Sequence, residues 1–155
     1  MATFGTWSSG DVLTAADLNA GLPACVLRDN SFVVSSGSGV QPGFGSGSEI
    51  HDPYDWHDTS TNNERITPTI AGIYLVTANV GYSPQINARV NLRIRKNTTS
   101  IGGSDEDDAG TRALTAAVMI NMNGSTDYFD LTLRQDSGGP LTVDYLNFSA
   151  CLIAT

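Results

Sequence analysis

Residues 65–82 limit this chain more than any other stretch, because they read as a turn followed by a strand that is apolar at nearly every position. Tyr74, Val76, Ala78 and Val80 share one face at the two-residue period of an extended chain, while Ile73, Leu75 and Thr77 keep the opposite face far from polar. An antiparallel sandwich of one domain covers only one of these faces. Cover for the other is expected from a second copy of the chain. Residues 113–122 repeat the pattern, with Leu114, Ala116, Val118 and Ile120 on one side and Ala113, Ala117 and Met119 on the other. The two stretches predict an oligomer, with Tyr74, Leu75, Ala117 and Met119 between copies.

The remaining pattern is that of one all-β domain behind a short leader. At 155 residues the chain has room for one domain with a real core. Thr14 as N-cap, Asp17 three residues later and Gly21 as terminator predict one or two helical turns over 15–20. Phe4, Trp7, Leu13 and Leu18 are more apolar surface than so short a segment can hide, so they are expected to dock on something outside it. Residues 1–23 therefore read as an anchoring arm, and 24–155 as the folded domain. Strands are expected over 24–34, 72–82, 89–97, 113–122, 128–135 and 141–153. The glycine- and serine-rich residues 35–48 read as a flexible loop. Asn123, Gly124 and Ser125 read as a hairpin-type turn.

Charge excludes one class of partner. The formal net charge is -8 and Lys96 is the single lysine, so no basic surface for nucleic acid is expected. No apolar run reaches the roughly 20 residues of a membrane span, and the N-terminus lacks a basic segment followed by an apolar one. No membrane partner is expected, and synthesis is expected in a cytoplasm without a cleaved signal. Asn97, Asn123 and Asn147 begin glycosylation-like triplets but read as polar residues at strand ends. Cys25 and Cys151 lie near the two ends; first and last strands are often neighbours, which leaves a bridge open, whereas a cytoplasmic product favours free thiols.

Candidate chemistry is sparse. His51, Asp52, Asp55, His57 and Asp58 form the one cluster of metal-capable side chains, without the spacing of a recognised zinc site. Asp105, Asp107 and Gly110 match three positions of a calcium loop, but Ala109 and Ala116 stand where ligands are needed. The acidic run reads as an exposed turn that meets Arg89, Arg93 and Arg95 on the outer face of the neighbouring strand. No nucleophile has a convincing base nearby in sequence, so neither catalysis nor a cofactor is expected.

Four segments carry a family resemblance: residues 65–80 with Gly72 and Tyr74, Ile94 to Asn97, Tyr128 to Gln135, and Asn147 to Ile153 with Phe148 and Leu152. They resemble the jelly roll shared by the globular heads of complement-type proteins and the tumour-necrosis-factor superfamily. The resemblance covers about residues 24–155 and implies an antiparallel ten-stranded sandwich assembled as a tight homotrimer. The leader from Trp7 to Asn19 resembles the opening of structural proteins of tailed bacteriophages, and residues 51–65 are similar to phage-encoded versions of this jelly roll. These resemblances imply a non-enzymatic virion protein, made in the host cytoplasm, whose partners are its own copies and the major capsid protein or other virion proteins. Because the chain has no long repetitive shaft, a capsid decoration protein is the leading expectation. The alternative is a tail-tip or short tail-fibre protein that binds a host-surface glycan or receptor, with Tyr54 and Trp56 as candidate ligand contacts.

Overall fold

The computed structural model describes residues 21–29, 32–107 and 111–155, without the side chains of 83–86, 111 and 112. The leader helix and its proposed anchors Phe4, Trp7, Leu13 and Leu18 lie outside the described residues. Among the described residues ten strands run in chain order: β1 (Ala24–Asp29), β2 (Phe32–Val34), β3 (Glu49–His51), β4 (Arg65–Ile66), β5 (Gly72–Ile86), β6 (Val90–Lys96), β7 (Thr99–Glu106), β8 (Thr111–Met122), β9 (Phe129–Gln135) and β10 (Leu141–Ala154). They form two antiparallel sheets. The six-stranded sheet has the order β3-β1-β10-β5-β8, with β2 also paired to β10, and the four-stranded sheet has the order β4-β9-β6-β7.

Side-chain alternation lays down the core between the sheets. Tyr74, Val76, Ala78 and Val80 of β5, Leu114 and Ala116 of β8, and Leu146, Phe148, Ala150 and Leu152 of β10 face inward from one side. Val90, Leu92 and Ile94 of β6 and Phe129, Leu131 and Leu133 of β9 meet them from the other. Truncating a leucine in such a packed layer costs about 2–5 kcal/mol. Register on β10 fixes the parity: Phe148 stands opposite Ala78, and Leu152 opposite Tyr74. A one-residue slip would turn this whole set to the outside.

Three expectations change here. The loop over 35–48 is stitched to the body: Val40 exchanges backbone hydrogen bonds with Leu133, Phe44 N donates to Asn63 O at 2.8 Å, and the Phe44 ring is fully buried against Phe148 at 6.1 Å. One large aromatic side chain outweighs the flexibility that the glycines and serines suggest. The turn at 123–125 joins β8 of one sheet to β9 of the other, so it is a crossing between sheets and not a hairpin. Tyr74 is 0% exposed inside the protomer's own core, where its hydroxyl donates to Ile70 O at 2.7 Å. It is therefore removed from the set expected between copies, because parity places it on the opposite face from Leu75.

Leu75, Ala117 and Met119 do lie on the outer face of the six-stranded sheet. Ala24, Cys151, Leu75 and Met119 form one row across four strands, by pairings of Ala24 with Cys151, Cys151 with Leu75, and Leu75 with Met119. With Ile73 and Ile153 they make an apolar patch at one end of the face, with Met119 67%, Ile153 48%, Ile73 42% and Leu75 38% exposed. The next rows are polar: Thr77 and Ser149 hydroxyls lie 2.8 Å apart, and Asn147 Nδ2 donates to Asn79 Oδ1 at 2.6 Å. Cys25 faces the core and Cys151 the outside, and both are free thiols. Their side chains leave opposite faces of the sheet, which rules out a bridge within the protomer.

Candidate functional site: a polar groove at the sheet crossing

The sheet-crossing turn and the loop 52–69 lie side by side and enclose a groove of about 430 Å³. Asp55, Asp58, Thr61, Arg65, Thr126 and Tyr128 are among its lining residues. Its size falls within the roughly 300–1,000 Å³ of small-ligand clefts.

Local sequence explains why both walls are fixed. The Asp52 carboxylate accepts from the backbone N–H groups of Trp56, at 3.0 Å, and His57, at 2.8 Å. Asp58 Oδ1 accepts from Ser60 N, Ser60 Oγ and Thr61 N within 2.7–3.0 Å, and these bonds hold the Asp58 carboxyl down at about 2. Thr67 N donates to Trp56 O at 2.7 Å and ties the two ends of the loop. On the other wall Asn123 Oδ1 accepts from the backbone N–H groups of Ser125, Thr126 and Asp127, which is an Asx-type turn. Gly124 sits at a φ of +69°, and a Cβ there would collide with the backbone of Ala71, so glycine is required at this close approach. Asp127 completes the wall by accepting from Lys96 Nζ at 2.8 Å and Asn97 Nδ2 at 2.7 Å; the Lys96 bond is the main reason its carboxyl lies below the usual range.

Trp56 is 2% exposed and stands mostly as a floor: its ring packs on Tyr74 and Tyr54, at 5.5 Å each, and its Nε1–H donates to Thr69 Oγ1 at 3.1 Å. Tyr54 packs behind it and does not line the groove. Of the two ligand contacts expected from sequence, one thus borders the groove as an edge. The guanidinium of Arg65 lies 4.1 Å above the Tyr128 ring, and its Nε is 2.9 Å from Glu64 Oε1. Sequence reasoning missed Arg65, Thr126 and Tyr128, because more than 50 residues separate the two walls and only the crossing topology joins them. The available signal was the density of Asp, Asn and Thr around both turns.

The metal-capable cluster is dispersed. His57 is buried with Nε2 3.0 Å from Asn63 O, so it donates there, and with Nδ1 3.3 Å from Glu49 Oε1. His51 is exposed on β3, and Asp52 is spent on the backbone. Among the described residues no three His, Cys, Asp or Glu side chains converge as a metal requires. Asp105 pairs with Arg93, as the sequence suggests, and Asp107 with Arg89 at 3.2 Å.

No family model matches this chain, and no curated protein matches it in sequence. Solved structures do. The globular domain of zebrafish complement 1qA protein superposes with a TM-score of 0.60 at 15% identity, over 84% of this chain and 97% of that one. The PRD1 vertex protein P5 gives a TM-score of 0.66 at 19% identity, over 86% and 99%. Murine APRIL gives 0.54 at 9% identity, over 81% and 98%. The fold is a complement-head and tumour-necrosis-factor-like jelly roll. At these identities the likeness speaks for the fold alone.

Proposed function

We propose that this chain is a non-enzymatic structural protein of a bacteriophage particle that works as a homotrimer, with its leader attached to the major capsid protein or another virion component. The observation that carries the reading is the apolar patch of Ile73, Leu75, Met119 and Ile153 on the outer face of the six-stranded sheet. Covering such area between copies contributes roughly 25 cal/mol per Å². The rows of Thr77, Asn79, Ser149 and Asn147 beside it supply hydrogen-bonding groups that a wet rim needs. Likeness to a PRD1 vertex protein supports a place on a particle shell. Head decoration is the leading role, with the leader residues Phe4, Trp7, Leu13 and Leu18 as the anchor and Leu75, Ala117 and Met119 between copies.

Light scattering on the dilute full-length protein tests the assembly: a mass of three chains supports it, and a stable single chain ends it. Counting copies in purified particles by quantitative mass spectrometry tests the place, since a decoration protein is abundant and a tail component scarce. The tail-tip or fibre reading keeps one observation in its favour, the preformed polar groove.

A further inference from the structure

Two features of the groove remain unused by the assembly just described: its walls are prefolded, and its lining is rich in hydroxyls. Five of the eleven lining residues, Thr61, Thr67, Thr69, Ser125 and Thr126, carry aliphatic hydroxyls. Such groups both donate and accept, as a ligand built of hydroxyls demands. Trp56 Nε1–H donates to Thr69 Oγ1, which leaves the Thr69 hydroxyl proton to donate outward. The bonds that fold the 58–61 turn all end on Asp58 Oδ1, which leaves Oδ2 of this groove-lining residue as a charged acceptor. Apolar lining comes from the edge of Trp56 and from Tyr128, whose ring is already oriented by Arg65.

Charge narrows the ligand class. The groove holds two carboxylates, Asp55 and Asp58, against one cation, Arg65, whose charge is already opposed by Glu64, with Nε 2.9 Å from Oε1. A phosphate, sulfate or carboxylate would face net repulsion there, and a purely apolar ligand would strand the hydroxyls. What fits is an uncharged ligand with several hydroxyls and one apolar face. Because Asp52, Asp58 and Asn123 accept backbone N–H groups and so hold both walls, little ordering cost attends binding.

We propose that this groove binds a neutral pyranose at the end of a saccharide, with Asp58 Oδ2 and the Thr126 hydroxyl holding sugar hydroxyls and Tyr128 as the apolar wall. The inference does not depend on the particle assignment, since the groove lies within one protomer.

Saturation-transfer NMR on the full-length protein, with the methyl pyranosides of glucose, galactose, mannose and N-acetylglucosamine and their disaccharides, tests it. Saturation is expected to reach at least one of these sugars. Thr126→Val, which also gives up the 2.8 Å bond that Asn123 Nδ2 donates to Thr126 Oγ1, is expected to weaken that sugar about tenfold by stranding one hydroxyl, with thermal melting followed alongside to register the lost wall contact. Ser125→Trp, which fills the groove and gives up only the 3.2 Å bond from Ser125 Oγ to Asn123 Oδ1 while the three backbone N–H bonds to that oxygen remain, is expected to abolish transfer with little change in thermal melting. Failure of every neutral sugar to receive saturation overturns the proposal, as does transfer that survives Ser125→Trp. Binding confined to sulfated or carboxylated saccharides and lost in Arg65→Gln overturns it as well.

Discussion

On the outside of the four-stranded sheet Arg93 meets Asp105 and Arg95 meets Asp130, whereas the outside of the six-stranded sheet carries Leu75, Met119 and Ile153. Both sheets obey the same two-residue alternation, and both bury their inner side chains against each other. Their outer faces differ in whether the protomer can satisfy them alone. Ion pairs close within one chain and leave no demand for a partner. Exposed apolar rows gain free energy only when something covers them. The proposed assembly surface is therefore picked out by what a face lacks rather than by what it contains.

The strongest way to break this contrast is to charge the apolar face. Leu75→Asp together with Met119→Asp would bury two unpaired carboxylates between copies, at several kcal/mol each. Light scattering is expected to show the trimer lost and a folded single chain in its place. Next in size is a change on the other face. Arg95 Nε and Nη2 donate to the Asp130 carboxylate at 2.5 and 2.9 Å, and Asp130 is fully buried beneath Gln41, whose Nε2 donates at 3.1 Å. Arg95→Met leaves that carboxylate unpaired and is expected to destabilise the protomer by about 3–5 kcal/mol in urea unfolding. Arg93→Ala, a few ångströms away at the half-exposed pair with Asp105, is expected to cost less than about 1 kcal/mol and to leave the oligomer intact.

Acid sharpens the comparison with the smallest perturbation. Asp105 is held below its ordinary value of 3.8, first by the hydrogen bond from Arg93, and Asp127, first by that from Lys96. A carboxylate whose folded value is depressed contributes stability above its ordinary value, and that contribution fades as pH falls through the folded value. Amide exchange is therefore expected to rise in β6, β7 and the 123–128 turn as pH drops below 3.8, before it rises in the pairing of β5 with β10. The apolar face carries no such groups at its centre. Equal loss of protection in both sheets would remove the distinction.

Much of this was legible in the residues themselves. Alternation in 72–82, 89–97, 113–122, 128–135 and 141–153 places five of the longer strands and predicts which side chains turn inward. It could not say that Tyr74 belongs wholly to the protomer, because a strand apolar on both faces does not label which is inside. β7 was hidden for a different reason. Thr99 to Glu106 is mostly exposed and polar at an edge, and its hairpin with β6 rests on Asn97 and Thr98 at positive φ, a turn formed without the usual glycine. Phe44 and Val40 show the opposite failure: a segment of turn-forming residues is fixed by a buried ring and by backbone bonds to Leu133, Gln135 and Asn63, contacts that composition does not reveal. The groove was half visible, through Trp56 and its acidic neighbours. Its second wall required the knowledge that β8 crosses to the other sheet.

Cys25 and Cys151 stand on neighbouring strands yet look in opposite directions, one toward the buried layer and one along the row of Leu75 and Met119. Burial pushes both thiols up, Cys25 the further. A thiol-selective label consequently keeps two clocks in one molecule. If copies close over that row as proposed, labelling at Cys151 is expected to slow on assembly, while labelling at Cys25 is expected to start only when the sandwich itself opens, so the two events can be timed in a single reaction at the protein's own cysteines.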